Sequence, residues 1–514
     1  MQKNIYYILI LLMLASCKKF LDERPRTGVS TSDFYKTAED FNLALNGAYA
    51  TVRDIYNSKS AWIMGEMRSD NTHYDYKPSD QALAVVQRYD VADFIDDRFN
   101  TQTAEKWYTC FAAISKVNGI LDQIDAIAFD AAEKKRIKGE AQFLRALSYF
   151  ELVRYYGGVP VYTHAVQNRE ETYLARSTAE EVYALIISDT QAAVDQLDAP
   201  AAFPQTGRVT KGAALTLLSD VYVTLGRFPE AEPLLKQVIQ MGYGLYPDYP
   251  DVFALNNKNG IESVFEIQFN ANLPTPQASN FIYNFIPRMA NSAVITGPGQ
   301  NTITNLGGFN TPAQDLLDSY EPGDKRLAGS LAVAEGTFNG TDDFTASAVK
   351  PIAGYTPAPG KVGRPFTTKF LHAHTIANQT NDNWPVYRYA EVLLLLAESL
   401  NEQGKGGEAL LYLNQVRSRA GLQAATETEK NALAAIILHE RRVELAFENK
   451  RWLDLVRTGN ALPVMNAFGV KQKQQYSYLL PASYNVTKER LVFPIPDAEV
   501  LLNVKLRQNP GYEN

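Results

Sequence analysis

Two stretches of the chain place aromatic rings close to hydrogen-bonding side chains. The first begins at Trp62 and continues with Arg68, Asp70, Asn71, Tyr74 and Tyr76. The second contains Asn280, Tyr283, Phe285 and Arg288. Aromatic rings offer flat apolar faces, and the neighbouring carboxylate, amide and guanidinium groups offer hydrogen bonds. These residue types favour noncovalent binding of a ligand, and the alternative for each ring is packing beneath a loop.

Two histidine patterns raise the question of metal chemistry. His372-Ala-His374 would place two imidazoles on one face of a strand, but the sequence nearby offers no evident third ligand. In the run that begins His439-Glu440, Val443 stands where a zinc protease has its second histidine. The sequence also contains neither a Gly-x-Ser-x-Gly elbow nor a phosphate-binding loop. We therefore predict no metal, no cofactor and no catalytic residue.

Cys17 stands directly behind a short apolar run, and the only other cysteine is Cys110. The apolar run, residues 5–14, follows a lysine and precedes the small pair Ala15-Ser16, which together make the three parts of an export signal. The run is about half the length that a membrane-spanning helix needs. Because Leu-Ala-Ser-Cys resembles the bacterial lipobox, we predict a signal peptide over residues 1–16 and a lipid on Cys17. The alternative is an ordinary secretory signal with an incidental cysteine.

The composition limits the possible partners and the means of stabilisation. The net charge is −7 and no run of basic residues appears, so nucleic acid is not predicted as a partner. With Cys17 modified, Cys110 is left alone and no internal disulfide is predicted. A chain of 514 residues can bury enough core to fold without one.

The elements that must position the polar and aromatic stretches are mainly helices. Thr37 followed by Asp40 is typical of a capping box, and the apolar residues behind it recur at helical spacing. A longer helix is predicted from about residue 134 to 156, because Gly157-Gly158 can adopt the left-handed conformation that ends a helix.

Two segments, 213–239 and 391–417, share the same Gly-to-Glu-Ala spacing between two helical stripes. Both resemble the tetratricopeptide repeat, a helix–turn–helix unit of about 34 residues. Further helix pairs are predicted over 134–197 and 433–456. The expected fold class is therefore mainly α, with a scaffold of about four tetratricopeptide-like helix pairs.

The character of the sequence changes between about residues 246 and 384, where Gly, Pro, Asn and Thr are frequent. The tail over about 461–514 is similar. Long irregular stretches in a helical protein often carry binding residues on a rigid scaffold. We therefore predict one domain over 17–514, in which helices at about 33–245 and 385–460 support these two irregular, ligand-facing segments.

Four separated blocks resemble one protein family. The run from Gln142 to Val161, QFLRALSYFELVRYYGGVPV, is similar to the signature helix of the SusD/RagB family of bacterial outer-membrane lipoproteins. Residues 387–422 and 440–459 resemble its next two blocks, and the Arg-Arg…Arg-Trp-x-Asp-Leu-x-Arg pattern of the latter is quite specific. Residues 491–512 resemble the closing block. The resemblance runs in order from Cys17 to Tyr512.

This resemblance implies a function. Members of the family are expected to be non-enzymatic, to be anchored by lipid at the outer membrane, and to capture oligosaccharides for a SusC-type TonB-dependent transporter. A sugar ring has a C–H face and a rim of hydroxyls, which match the aromatic and polar residues named above. One aromatic ring that covers ~50 Å² of sugar would contribute roughly 1–1.5 kcal/mol.

The signature blocks themselves are interpreted as scaffold. Their charged residues are expected to form helix-to-helix ion pairs; they are Arg145, Arg442, Arg451 and Asp454. Trp384 and Trp452 are also assigned to the scaffold.

Three alternative functions stay open. The chain could be an oligopeptide-binding relative on the same scaffold, or a tetratricopeptide-type adaptor that binds other proteins. It could also be a lipid-anchored hydrolase, because a glycosidase needs only two carboxylates across a cleft and the chain has 57 acidic residues.

Overall fold

The structure is a computed structural model that describes residues 34–289, 291–297, 307–340 and 343–513. The predicted signal peptide, residues 1–16, and the predicted lipidation site, Cys17, lie outside these residues. None of the helices in the described ranges is long and apolar enough to cross a membrane. The α-helices in chain order are α1 (Ala38–Asn57), α2 (Lys59–Gly65), α3 (Leu83–Asp93), α4 (Thr101–Ile124), α5 (Ala131–Tyr156), α6 (Ala179–Gln196), α7 (Lys211–Thr224), α8 (Phe228–Ile239), α9 (Phe281–Phe285), α10 (Ala293–Thr296), α11 (Gln314–Leu317), α12 (Lys325–Ser330), α13 (Tyr389–Glu402), α14 (Gly406–Arg419), α15 (Lys430–Glu444), α16 (Arg451–Arg457), α17 (Ala461–Gln475) and α18 (Asp497–Leu502).

The long helices of the first half start at side-chain caps. At α1, the predicted capping box is present: the Thr37 hydroxyl accepts from the Asp40 amide at 3.3 Å, and the Asp40 carboxylate accepts from the Thr37 amide at 2.8 Å. Helix α5 begins earlier than predicted because Asp130 caps it by accepting from the Glu133 amide at 2.8 Å. Helix α4 packs against α1 and α5, and α5 packs against α6, so the first half is a series of helix pairs.

The two segments with the shared Gly-to-Glu-Ala spacing form helical hairpins, which confirms the tetratricopeptide-like prediction. Helices α7 and α8 meet at Gly226, with φ of +69°, and α13 and α14 meet at Gly404, with φ of +75°. The two hairpins lie side by side because α8 packs against α13. Glu232 of α8 joins them by accepting from Lys405 at 2.6 Å and from Gln403 at 2.9 Å.

Strands are few and short. They are β1 (Thr72–His73), β2 (Ser263–Ile267), β3 (Thr311–Pro312), β4 (Leu331–Asn339), β5 (Asp343–Pro351), β6 (Val362–Thr367) and β7 (Trp384–Arg388). All pairings are antiparallel: β1 with β3, β2 with β7, and a three-stranded sheet in the order β5-β4-β6. The pairing of β2 with β7 attaches the irregular middle of the chain to the start of α13.

The prediction that residues 461–514 are irregular was wrong for residues 461–475, which form α17. In the sequence, Pro463 and Gly469 disfavour a helix over this segment. Pro463 lies in the first turn, where its missing N–H costs nothing. Gly469 lies where a Cβ would come within 2.1 Å of the Cβ of Tyr484, so the glycine allows the tail to pack closely on the helix.

The signature arginines and Asp454 form ion pairs, as predicted. Arg145 of α5 donates to both carboxylate oxygens of Asp189 on α6 at 2.7 and 2.8 Å. Asp454 of α16 accepts from Arg441 of α15 at 2.9 Å. The ion pairs of Arg442 and Arg451 differ from the predicted helix-to-helix pairs, because the common partner of these two arginines lies in a loop. Trp384 and Trp452 are fully buried, which confirms their place in the scaffold.

Candidate functional site

A group of partly exposed tyrosines forms the candidate site, and we call it the tyrosine platform: Tyr76, Tyr89, Tyr476 and Tyr478. The rings of Tyr76 and Tyr478 are stacked with centroids 4.1 Å apart and planes 16° apart. Tyr476 continues the stack at 5.3 Å from Tyr478. Tyr89 lies on the other side, 5.7 Å from Tyr76. The platform joins the segment before α3, α3 itself and the segment after α17.

Two buried rings support the platform from below. Tyr74 stacks on Tyr89 at 4.1 Å and 17°, and His73 stacks on Tyr476 at 4.9 Å and 14°. One ring nitrogen of His73 lies 2.8 Å from the Tyr478 hydroxyl and the other lies 3.1 Å from the Tyr484 hydroxyl. Burial lowers the pKa of His73 to about 3, so the imidazole is neutral at physiological pH. A neutral ring can donate at one nitrogen and accept at the other, and this arrangement orients both hydroxyls.

Asp93 lies under the same rings. Its carboxylate accepts from the Tyr74 hydroxyl at 2.8 Å, and the side chain is almost completely buried. Burial raises the pKa of Asp93 to about 7, because removal from water disfavours the charged form and Tyr74 offsets only part of that effect. A carboxyl group that titrates near neutral pH therefore lies beneath the platform.

Charged side chains line one edge of the platform. Asp75 accepts from the Arg288 amide at 2.8 Å and forms an ion pair with Arg364 of β6. The Arg288 guanidinium forms an ion pair with Asp80. Arg288 and Arg364 are partly exposed, so this edge offers guanidinium and carboxylate groups next to the aromatic faces.

A close approach of three backbone segments positions this edge. The Asp75 amide donates to the Gly308 carbonyl at 2.9 Å, and the Gly308 amide donates to the Ile286 carbonyl at 2.8 Å. Gly308 has φ of +86°. A Cβ at this position would lie 3.1 Å from the Cβ of Asp75 and 3.2 Å from the Cβ of Arg288. Glycine therefore allows both the left-handed backbone and the narrow gap between Asp75 and Arg288.

Seven of the ten residues predicted for binding are fully or almost fully buried and have partners inside the protein. One is Tyr74, beneath the platform; the other six are Trp62, Arg68, Asp70, Asn71, Tyr283 and Phe285. Trp62 packs edge-on against Phe285 with centroids 5.3 Å apart. The Tyr283 hydroxyl lies 2.6 Å from a ring nitrogen of His374. For these side chains the structure shows packing and not an accessible face.

The polar members of this buried set have strong internal partners. Arg68 donates to Asp96 at 2.6 Å, and its guanidinium lies between the rings of Phe94 and Phe493, 4.2 and 4.3 Å from their centroids. Asp70 accepts from Arg451 at 2.8 and 2.9 Å and pairs with Arg442 at 3.0 Å.

Asn71 completes this set. It accepts from Arg442 at 2.8 Å and donates to Glu66 at 2.9 Å. The buried polar residues therefore hold the loop after α2 against α15 and α16.

Apart from these six, three predicted residues lie at the platform or directly beneath it. Tyr76 belongs to it, Arg288 lines its edge, and Tyr74 supports it from below. Asn280 is partly exposed and precedes α9, where its carbonyl accepts from Asn284 at 3.0 Å. The two predicted stretches meet in space where Asp75, next to Tyr76, accepts from the Arg288 amide.

Sequence reasoning missed three of the four platform tyrosines, Tyr89, Tyr476 and Tyr478, and two residues of the charged edge, Asp75 and Arg364. A usable signal was present, because Tyr74-Asp-Tyr76 and Tyr476-Ser-Tyr478 repeat one pattern. In an extended chain, residues two apart lie on the same side. Ser477 and Tyr478 lie in a turn after α17, but the rings of Tyr476 and Tyr478 are still 5.3 Å apart, and Tyr74 and Tyr76 both contact Tyr89 and Tyr478.

The possible metal pair differs from its expected geometry. His372 and His374 do not lie in a strand. His372 pairs with Asp382, and His374 lies against Tyr283. Within the described ranges, no cluster of three or more His, Cys, Asp or Glu side chains is arranged to hold a metal ion.

Two family models match the chain. A model described as "SusD family" matches residues 261–512, and a model described as "Starch-binding associating with outer membrane" matches residues 19–223. Residues of the platform fall in both matched regions. The two models together cover most of the helical scaffold and of the irregular middle, and residues 224–260, which include α8, lie outside both.

Individual relatives are similar over most of their length. SusD-like protein P2 of Formosa agariphila is 27% identical over 531 residues, which cover 99% of each chain. The starch-binding protein SusD of Bacteroides thetaiotaomicron is 23% identical over 461 residues, which cover 78% of this chain and 77% of that protein. A solved laminarin-binding SusD-like protein has a TM-score of 0.74 at 24% identity and covers 93% of this chain and 100% of its own. This last likeness shows the fold.

Proposed function

Since the chain belongs to the SusD family, we propose that it binds oligosaccharides on the tyrosine platform at the cell surface. It then delivers them to a SusC-type TonB-dependent transporter in the outer membrane. Glycan binding in association with the outer membrane is the property of the family, whose glycan-binding members are non-catalytic. The protein is therefore a binding protein and not a hydrolase.

The observation that carries this proposal is the platform of partly exposed, stacked tyrosines beside Asp75, Arg288 and Arg364. The ring faces suit the C–H surface of a sugar, and the charged edge suits its hydroxyls. At ~25 cal/mol per Å², each ring that covers ~50 Å² contributes roughly 1–1.5 kcal/mol. Three rings together with a few hydrogen bonds at the charged edge then reach ~4–6 kcal/mol after ordering costs, which corresponds to an affinity of roughly millimolar to tens of micromolar.

Lipid anchoring and delivery to a transporter rest on the lipobox that ends at Cys17 and on the family. Two or three acyl chains would hold the protein to the membrane, whereas a single chain gives only marginal binding. A moderate affinity suits a protein that must release its ligand to a transporter. The names of relatives refer to starch, laminarin and surface glycans, which favours glycans over the peptide alternative for this chain.

Binding measurements on the soluble chain after Cys17 test the site. Titration calorimetry with laminarin and starch oligosaccharides, and with a set of oligopeptides, identifies the ligand class. Tyr478→Ala should weaken glycan binding about tenfold, because it removes the central ring on which Tyr76 and Tyr476 stack and so disturbs the platform. Tyr412→Ala is the matched control, since Tyr412 is also partly exposed but lies on α14 in the scaffold. Equal affinities of the Tyr478→Ala variant and the wild type would refute the platform.

Isolation of the native protein from membranes tests the partner and the anchor. We expect a barrel-sized protein to copurify, and we expect Cys17→Ser to release the protein from the membrane fraction. Recovery of the wild type without such a companion would favour the adaptor alternative. Retention of the Cys17→Ser variant in membranes would contradict the lipid anchor.

A further inference from the structure

A pocket that shares no lining residue with the tyrosine platform lies between α4, the segment after α5, and α18. Its volume is about 250 Å³. The side chains that matter for its chemistry are Trp107, Tyr108, Phe111, Tyr162 and Glu499, and we call it the aromatic pocket. None of these residues belongs to the tyrosine platform or to its charged edge.

The rings of the aromatic pocket face it from more than one direction. Trp107 and Phe111 have centroids 4.8 Å apart with planes at 55°, and Phe111 and Tyr162 are 5.8 Å apart with planes at 87°. Trp107 is nearly buried and Tyr108 is 45% exposed, so the pocket has a closed inner wall and an open rim. Rings at steep angles to one another can present their electron-rich faces to one bound group.

Glu499 supplies a negative charge at this pocket. Burial raises the pKa of the Glu499 carboxyl, and the nearby Tyr108 hydroxyl offsets part of that effect. No lysine or arginine is among the described residues that line the pocket. The lining His164 already pairs with Asp122 at 2.7 Å. Asp75 at the platform differs, because an arginine neutralises it.

We propose that the aromatic pocket binds an organic ammonium group. Aromatic faces attract a cation through their quadrupole, and the carboxylate of Glu499 adds a direct charge partner. A neutral ligand would remove Glu499 further from water without compensating its charge, which is unfavourable. The volume suits one small group, such as a quaternary ammonium or the protonated amine of an amino sugar. This site goes beyond the proposed function and does not depend on the platform.

The mature chain contains its own reporter for the test. Of its four tryptophans, Trp107 lines the pocket, whereas the others are fully buried in the core: Trp62, Trp384 and Trp452. Choline is titrated against 3,3-dimethylbutan-1-ol, which has the same shape without charge, and glucosamine is titrated against glucose. Tryptophan fluorescence and calorimetry follow both pairs. We expect the charged member of at least one pair to bind about tenfold more tightly than its neutral counterpart.

Three variants assign the effect to the pocket. Glu499→Gln removes the charge and keeps the shape, and should weaken ammonium binding about tenfold. Phe111→Leu keeps an apolar wall but removes a ring face, and should weaken the charged ligand more than the neutral one. Glu489→Gln is the matched control, because Glu489 is an exposed glutamate in the same C-terminal segment.

The outcomes distinguish the two kinds of ammonium ligand and show whether the pocket binds an ammonium group at all. Binding of choline alone indicates a quaternary ammonium ligand, and binding of glucosamine alone indicates an amino sugar. Three results would overturn the proposal. They are equal binding of the charged and the neutral member of each pair, no effect of Glu499→Gln on ammonium binding, and no binding of either ammonium at a concentration 50-fold above the expected Kd of about 1 mM. Tyr478→Ala should leave ammonium binding unchanged, so failure of this site and failure of the platform are distinguishable.

Discussion

Residues 62–71 and 75–76 belong to one short stretch with similar residue types, but they occupy different environments. Asp70 and Asp75 show the contrast, since each carboxylate pairs with arginine. Asp70 is 3% exposed and is held by both Arg451 and Arg442. The Asp75 side chain is 9% exposed, and its partners are a backbone amide and Arg364, whose side chain is 27% exposed.

The aromatic residues show the same division. Trp62 is enclosed by Phe281 and Phe285, whereas Tyr76 covers one face with Tyr478 and keeps part of its surface exposed. Residue type alone therefore does not separate a scaffold from a binding surface. The difference lies in how far the charged groups and ring faces are already covered by partners within the protein.

The largest expected effect comes from neutralising the buried member of the aspartate pair. Asp70→Asn would leave Arg442 and Arg451 without their shared counter-charge, which should reduce the free energy of unfolding by about 3–5 kcal/mol. Asp75→Asn should cost no more than about 1 kcal/mol, because the partner Arg364 is partly solvated and the amide oxygen can still accept. Urea denaturation of both variants measures the difference. Equal losses of stability would show that the two carboxylates have equivalent structural roles.

The second prediction uses the opposite pKa shifts of Asp70 and Asp93. Burial would raise the pKa of Asp70, but Arg451 and Arg442 outweigh it and hold the pKa below its usual value. Asp70 therefore stabilises the fold above about pH 4 and loses that contribution as the pH falls. Burial raises the pKa of Asp93 to about 7, so Asp93 favours the fold when protonated and loses that contribution as the pH rises towards 7.

Asp93→Asn should accordingly become more stable than the wild type as the pH rises. The difference in free energy of unfolding should grow by roughly 2–4 kcal/mol between pH 4 and pH 8, since the amide can accept from Tyr74 without ionising. Denaturant titrations across this range provide the measurement. Parallel pH curves for variant and wild type would mean that Asp93 does not titrate beneath the platform.

The scaffold could be predicted because its signals are local. The capping box at Thr37 and the glycine turns of the two hairpins depend on spacing within a few tens of residues, and the structure confirms them. Helix α17 was missed because Gly469 looks unfavourable for a helix when only the local sequence is considered. The structure explains this glycine by the close approach of Tyr484, which lies outside the helix. Local rules apply where local contacts decide the conformation.

The candidate site could be predicted only in part because it joins distant segments. Tyr76 and Arg288 were predicted separately, and nothing in their own neighbourhoods shows that they share an edge with Arg364. The stacking partner of Tyr76 is Tyr478, far along the chain. Burial of Arg68 and Asp70 also depends on distant partners, namely Asp96 and Arg451. Chemistry identified the right residue types, and tertiary contacts decided which of them stay exposed.

The third prediction concerns Gly308, which lies between Asp75 and Arg288. Gly308→Ala combines an unfavourable left-handed backbone with contacts at 3.1 and 3.2 Å to those two residues. We expect a loss of about 1–3 kcal/mol of stability and weaker glycan binding, because the edge of the platform must move. Gly354→Ala is the control, since Gly354 also has positive φ, +67°, but its added Cβ would meet nothing within 4 Å. Unchanged glycan binding by Gly308→Ala would indicate that the edge does not contribute to the site.

The smallest expected effect is at an ion pair that belongs to neither region. Arg227 and Glu230, at the turn between α7 and α8, lie 2.9 Å apart with side chains 45% and 44% exposed. Glu230→Gln should change the free energy of unfolding by less than about 0.5 kcal/mol and leave glycan binding unchanged, since water and salt already screen this pair. Denaturation at low and high salt provides the measurement. Suppose instead that Glu230→Gln loses as much stability as Asp70→Asn. Then solvent exposure would not determine how much an arginine–carboxylate pair contributes to the free energy of unfolding, and the contrast between Asp70 and Asp75 would need another cause.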